Sequence, residues 1–394
     1  MTSVYINAQG VVCALGVDLN AVRQQTFASE SLALTVTEVY SPGKPLPLGC
    51  VRGPLAGLNS SGPIRLRSRN NQLVEAALAP LRVPVARAVA RYGPERVAVV
   101  LGSSTAGVWE GEHAAIHHLQ TTGWPAIYDY AQQEMSNPAE YVAHSVGSRG
   151  PVYSISTACS SGAKAIASAA RLLRAGLVDA VVAGGADALC RLTVAGFGAL
   201  ESISARTCNP MSLHRNGINI GEGAALVLMS RDPGPVRVAG WGETSDAHHM
   251  SAPDPSGKGA VEAMRQALAR AGVGPDVVNY INLHGTATHH NDAMESRAVQ
   301  EVFGRDVPVS STKPLTGHAL AAAGAIESVI ASLCLADNPN GKLPPHWWDG
   351  VTDPALPALH LVQPGETLGY QPNWVMSNSF AFGGSNAVLL FSRE

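Results

Sequence analysis

Six nearly continuous apolar runs punctuate this 394-residue sequence: VYINAQGVV, RVAVVLG, VDAVVAGGA, AALVLMS, YINLHG and NAVLLFS. A strand that alternates polar and apolar residues keeps one face in water, whereas strands like these are covered on both faces. Candidate covers lie between them. GAKAIASAARLLRAG, GAVEAMRQALARAG and AGAIESVIASLCLAD read as Ala-rich helices of about 12–15 residues. The alternation predicts an α/β protein whose sheets carry helices on both sides. The length exceeds one small core. A turn-rich break, SRDPGPVRV, suggests two parts, 1–232 and 233–394, each a strand–helix alternation ending in an apolar strand. Identity between them is not evident, so a duplicated fold is suspected and not established. The Pro/Gly-rich stretch SPGKPLPLGCVRGPLAGLNSSGPI reads as an irregular excursion.

Composition narrows the function. With 46% hydrophobic and 14% charged residues, much of the chain must be buried, within the subunit or at an oligomer interface. A formal charge of −3 gives no argument for nucleic acid. No apolar run approaches the roughly eighteen residues that read as a membrane span. The start, MTSVYINAQGVVCALG, lacks a basic segment and makes a poor signal peptide. The cysteines at 13, 50, 159, 190, 208 and 334 form no CxxC pair, which argues against a zinc site or a disulfide framework. A reduced, cytoplasmic protein is the expectation.

Three segments carry chemistry. In VYSISTACSSGAKAIASAARLL, Cys159 falls at a strand-to-helix turn, where the helix N-terminus favours a thiolate; a buried cysteine beside a polar turn fits as well. In YINLHGTATHHNDAMES, His284 ends a strand beside Thr286 and Thr288, well placed to reach a ligand or simply to sit in a loop. His289, His290 and Asp292 invite a metal reading, but no second ligand cluster supports one, and no metal is expected. In VSSTKPLTGHALAAAGAIES, Lys313 and His318 precede an Ala/Gly helix bearing Glu327; a nearby lysine would orient the histidine and keep it neutral, and an ordinary helix-start loop fits as well. The Gly-Gly pair of MSNSFAFGGSNAVLLF permits a tight turn, which could present a backbone N–H to a ligand or merely reverse the chain.

Together, TACSSG, GEGAALVL, SDAHHM, HGTAT with NDAMES, STKPLTGH with AAAGAIES, and NSFAFGGSN resemble the type I/II β-ketoacyl-ACP synthases of the thiolase superfamily, over essentially the whole chain. The resemblance implies a five-layer α-β-α-β-α fold of two similar halves, the first carrying Cys159 and the second His284 and His318. It implies a dimer, with the site near the junction of the halves. It makes Cys159 the nucleophile that takes an acyl group, with the Cys159 and Phe382 N–H groups as oxyanion hole. His284 and His318 would stabilise the enolate left when malonyl-ACP loses CO₂. Lys313 and Glu327 would support His318. Thr286 and Thr288 would contact phosphopantetheine, Phe382 and Phe197 would be aromatics beside the cysteine, and Thr105 would border the acyl tunnel. No cofactor resides on such an enzyme; its substrates ride on the phosphopantetheine of an acyl carrier protein.

The sequence departs from the family at Asn216 and Ile218, which stand for an acid and an aromatic, and at Ala381, which stands for a glycine. His289-His290 replace a proline-containing pair, and Glu201 stands where some relatives are basic. Arg65, Arg67 and Arg69 form a basic run suited either to an acidic carrier protein or to solvent. HGTAT, NDAMESRA and KPLTGHAL look closest to synthases of bacterial polyene clusters, such as aryl polyene pathways, with housekeeping fatty acid elongation as the alternative. Two further readings are a structural subunit that shapes a heterodimer's acyl tunnel, and a thioester hydrolase or decarboxylase on the same scaffold.

Overall fold

The computed structural model describes residues 2–31, 33–58 and 62–394. Its strands are β1 (Tyr5–Val12), β2 (Thr35–Thr37), β3 (Leu46–Leu48), β4 (Val97–Gly102), β5 (Val152–Ile155), β6 (Ala180–Asp187), β7 (Gly223–Ser230), β8 (Val236–Ser245), β9 (Tyr280–Asn282), β10 (Pro308–Ser310), β11 (His360–Leu361), β12 (Trp374–Phe380) and β13 (Ser385–Arg393). Its α-helices are α1 (Leu19–Thr26), α2 (Arg69–Leu78), α3 (Arg82–Tyr92), α4 (Val108–Thr121), α5 (Asn137–Val146), α6 (Ser161–Arg174), α7 (Arg191–Ala199), α8 (Lys258–Ala271), α9 (His289–Phe303), α10 (Lys313–Thr316) and α11 (Ala323–Leu335). All six apolar runs contain strands and all three Ala-rich stretches are helices. The Pro/Gly-rich excursion is only partly irregular, because Leu46–Leu48 pair antiparallel with Thr35–Thr37. Its residues 59–61 lie outside the described residues.

Strand order runs β11-β10-β9-β12-β13-β8-β1-β7-β6-β4-β5. The order β1-β7-β6-β4-β5 is repeated by β8-β13-β12-β9-β10. In each set the first two pairings are antiparallel and the next two parallel. The sets meet through β1 and β8 at two residue pairs, Tyr5 with Arg237 and Ile6 with Val236. Duplication is therefore evident in topology although not in residue identity.

Helices α6 and α11 touch each other between the two sets, α6 packing on β6 and β4, α11 on β12 and β7. Every residue of α11 is buried, which explains why AGAIESVIASLCLAD is apolar all round. Helices α2 and α5 cover the outer face of the first set, and α8 covers that of the second with α9 against it. One apolar cluster fills the centre and one lies under each outer layer. This is the five-layer thiolase-like architecture. No described helix is long and apolar enough to cross a membrane.

Candidate active site

The site forms where the two central helices begin. A Cβ on Gly162 of α6 would stand 2.6 Å from the Ala321 carbonyl oxygen, and one on Gly324 of α11 would stand 3.0 Å from the Ala163 nitrogen. Glycine at both positions lets the helix starts approach backbone to backbone. That approach brings the residues just before them together: His318 Nε2 is 2.9 Å from Cys159 Sγ.

The cysteine turn is strained and tied. Ala158 has φ +51°, a conformation that costs a non-glycine residue about 1–3 kcal/mol. Ser161 Oγ donates to the Ala158 carbonyl at 2.6 Å and accepts from the Thr157 N–H at 2.9 Å, while Ser160 Oγ donates to the Thr157 carbonyl at 3.0 Å. The hydroxyls of TACSSG thus hold the turn that presents the sulfur.

His284 arrives from the second half, two residues beyond β9. Glu295 of α9 accepts the N–H groups of His284 and Gly285, each at 2.7 Å. The two imidazoles meet edge to face with centroids 5.4 Å apart, and Phe380 stands 6.2 Å from His284. One donor atom each from Cys159, His284 and His318 falls within 4.8 Å of the others, a three-donor cluster that could also hold a metal ion. The adjacent Lys313 ammonium disfavours a cation there. His289 and His290 are exposed at the start of α9, whereas Asp292 turns inward and accepts from the Met211 and Ala287 N–H groups at 2.8 and 3.2 Å.

Lys313 and Glu327 form a buried ion pair at 2.6 Å. Burial holds both imidazoles well below their ordinary pKa, and Lys313 pushes in the same direction. Both are therefore neutral at pH 7, each with one N–H to donate. The thiol departs from expectation. Burial pushes Cys159 up to about 11, and Lys313 with the Phe382 and Cys159 N–H groups offsets only part of this. The resting, closed site holds a thiol and not the thiolate expected at a helix start, because desolvation outweighs the partial charge.

Cys159, His284, His318, Thr286, Thr288, Phe197, Phe382, Ala381, Ile218 and His290 line one cavity of about 80 Å³. Phe197 and Phe382 close it, with ring centroids 5.6 Å apart. The hydroxyls of Thr286 and Thr288 lie 3.0 Å apart. Thr105 is not in this wall. It is buried, its N–H and hydroxyl donating to Asp187 Oδ1 at 2.8 and 2.9 Å. Asn216 and Glu201 are exposed, the latter at φ +52°. The arginine run does not present one free basic face: Arg69 pairs with buried Glu222 at 2.6 Å, Arg65 approaches Glu140 at 3.6 Å, and Arg67 donates to the Gly62 carbonyl.

Two buried clamps went unread in the sequence. Asp187 accepts from Ser103 Oγ, the Ser104 and Thr105 N–H groups and the Ala321 N–H, at 2.7–3.0 Å, so it ties the loop after β4 to the loop of His318. Glu295 does the same for His284. Its signal lay in NDAMES, where the acid falls on the buried face of a helix; Asp187, an acid closing an apolar strand, carried a similar one.

The sequence matches two protein families, the β-ketoacyl synthase N-terminal domain over residues 81–233 and the β-ketoacyl synthase C-terminal domain over 236–347. It is 37% identical over 273 residues to a 3-oxoacyl-(acyl-carrier-protein) synthase 2 of Coxiella burnetii, spanning 62% of each chain. The match thus spans less than two thirds of that relative. Among solved structures, the fold is similar to the ketosynthase ApeO in complex with its chain length factor ApeC from Xenorhabdus doucetiae, with TM-score 0.93 and 40% identity over 100% of this chain and 98% of that one. It also resembles a type II PKS acyl-carrier protein–ketosynthase complex bound to the hexaketide (AntDE:AntF), with TM-score 0.86 and 25% identity over 100% and 99%.

Proposed function

The chain belongs to the β-ketoacyl synthase family, and on that premise we propose that it catalyses decarboxylative Claisen condensation between an acyl group held on Cys159 and malonyl-ACP. The observation that carries the proposal is the 2.9 Å contact between His318 Nε2 and Cys159 Sγ, with a second neutral imidazole and the Phe382 N–H facing the same sulfur.

In the first half-reaction Cys159 sulfur attacks the thioester carbonyl of acyl-ACP. The Cys159 and Phe382 N–H groups take the developing oxyanion. The carrier leaves as its thiol, carrying away the proton the cysteine gives up, and an acyl-Cys159 thioester remains. In the second, malonyl-ACP binds with its thioester oxygen between His284 and His318. The C–C bond to the carboxylate breaks, CO₂ leaves, and the electron pair becomes an enolate that the two neutral N–H donors stabilise. The enolate carbon attacks acyl-Cys159, the carbon–sulfur bond breaks with the electron pair going to sulfur, and β-ketoacyl-ACP forms; the departing thiolate takes up one proton from solvent to restore the thiol. Burial, reinforced by Lys313 paired with Glu327, keeps the imidazoles neutral. Thr286 and Thr288 would receive the phosphopantetheine arm. In this reading no cofactor or metal resides on the enzyme, the enzyme works in the cytoplasm, and the halves 1–232 and 233–394 supply sulfur and imidazoles respectively.

The partners proposed are an acyl carrier protein and a second ketosynthase-like subunit, identical or not. A cavity of about 80 Å³ is far below the roughly 300–1,000 Å³ of small-molecule sites. Leu119, Trp124, Ile127 and Tyr130, on α4 and just after it, are 57–84% exposed, an apolar face suited to such a subunit. ApeO's complex with a chain length factor supports the nonidentical case, and a polyene route is the favoured pathway. The test is mass spectrometry of reconstituted reactions with saturated and conjugated acyl-ACPs plus malonyl-ACP. A mass gain on Cys159 followed by β-ketoacyl-ACP, both lost in Cys159→Ala, is expected. A folded protein that no substrate acylates, alone or with a partner subunit, overturns the reading; release of free acid or acetyl-ACP without condensation points to the hydrolase or decarboxylase.

A further inference from the structure

Lys164 lies on α6, five positions after the cysteine, and is half-buried. Its side chain has one hydrogen-bond partner among the described residues, the hydroxyl of Ser385, at 2.6 Å. Glu243, an acid whose charge reaches Lys164, makes its ion pair with Arg171. Withdrawing an ammonium partly from water onto a neutral hydroxyl is costly.

What Ser385 closes gives the contact its meaning. The Ala381 N–H donates to the Ser385 carbonyl and the Gly384 N–H to the Ala381 carbonyl, each at 3.1 Å, so Ala381–Ser385 is a single turn. That turn carries the Phe382 ring, which closes the cavity against Phe197, and the Phe382 N–H, which faces Cys159 sulfur. Gly383 has φ +80° and nothing within 4 Å of where its Cβ would stand. On its other side the turn is tied to the 246–250 loop, the Gly383 N–H donating to the Met250 carbonyl at 2.8 Å and the Asp246 N–H to the Gly384 carbonyl at 2.9 Å; it must nonetheless shift, because the closed cavity of about 80 Å³ does not admit a thioester substrate.

We propose that Lys164 is a positioning residue, a strut from the helix of the nucleophile to the hinge of the turn that bears Phe382. It holds that turn closed and its N–H in register with Cys159. The inference rests on the condensing role of Cys159, but its test is separable. Lys164→Met keeps the aliphatic stem and removes the donor; Ser385→Ala removes the acceptor from the other side, should the lysine variant misfold. Alkylation of Cys159 by iodoacetamide, followed by mass spectrometry, reads opening without any carrier protein. Acylation by acyl-ACP reads register. Each single variant should alkylate several-fold faster and accept acyl groups about tenfold more slowly, misplacement by a fraction of an ångström being worth that much. The double variant should match either single, and Lys164→Arg should restore most of the wild-type behaviour. Wild-type rates in both singles, or effects that multiply in the double, overturn the proposal. A wild type that takes no acyl group overturns the condensing reading instead, and the alkylation cycle still decides the strut.

Discussion

Replacing Lys313 by Met should turn a compensated buried pair into a stronger pH-dependent liability. Lys313 and Glu327 are 1% and 3% exposed, and their contact is 2.6 Å. Without the ammonium, Glu327 is left in the central layer, to be held as a buried anion or protonated. Removing one partner of such a pair costs about 3–5 kcal/mol. Burial already raises the Glu327 pKa above its ordinary 4.5, and Lys313 is the group that pulls it down. In the variant that restraint is gone and the folded-state pKa rises further. A carboxyl whose folded pKa is raised favours the fold while protonated, so its contribution is lost as pH climbs from the unfolded value to the folded one. The variant should lose about 1.4 kcal/mol per pH unit across that window, fall away from wild type above the pH at which wild-type Glu327 has ionised, and be most stable near pH 5. Adding Glu327→Leu removes the stranded acid and should bring stability back to within about 1 kcal/mol of wild type. Urea unfolding of the three proteins at pH 5, 6, 7 and 8 measures all of this. A Lys313→Met protein less than 1 kcal/mol below wild type, or a double variant weaker than the single, would refute the reasoning.

Other outcomes follow from the same geometry. Because the Cys159 thiol is pushed to about 11, its alkylation rate should climb about tenfold per pH unit from 7 to 10; a plateau below pH 9 contradicts the burial argument. His284→Ala should still form acyl-Cys159 but slow condensation by about 10²–10³-fold, the cost of one lost charge-stabilising donor, as seen by β-ketoacyl-ACP formation. Asp187→Ala strands several buried N–H groups at about 1–3 kcal/mol each, so its unfolding midpoint should fall sharply without any change in the reagents that reach Cys159.

The sequence was most legible where function is written in adjacent residues. TACSSG, HGTAT and STKPLTGH each place one reactive side chain beside the small and hydroxyl residues that shape its loop, and the fold brings those three side chains within 4.8 Å. What escaped was long-range. The clamp of Asp187 on Ala321, 134 positions away, depends on three-dimensional crossing of loops, whereas that of Glu295 on His284 spans 11 positions and needed the buried face of α9 to be read. Thr105 belongs to the same long-range network: its hydroxyl donates to Asp187, 82 positions away. The thiolate expectation failed on a different count, since a helix start is visible in sequence and the dryness of its surroundings is not. Apolar runs announced six strands, but β5, β9 and β10 are only two to four hydrogen-bonded pairs long in their ladders, and β5 and β10 carry no long apolar run to betray them.

The repeated strand order has an evolutionary reading. Cys159 lies between β5 and α6, and His318 between β10 and α11, the matching addresses of the two repeats. His284 follows β9, and the matching stretch after β4 is Ser103–Thr105, locked by Asp187. A single repeat pairing with its own copy would place the same side chain at both symmetric addresses. Fusion of two copies in one gene breaks that constraint: one address can specialise in sulfur and its twin in imidazole, while the remaining pair divides into a reactive loop and an inert brace.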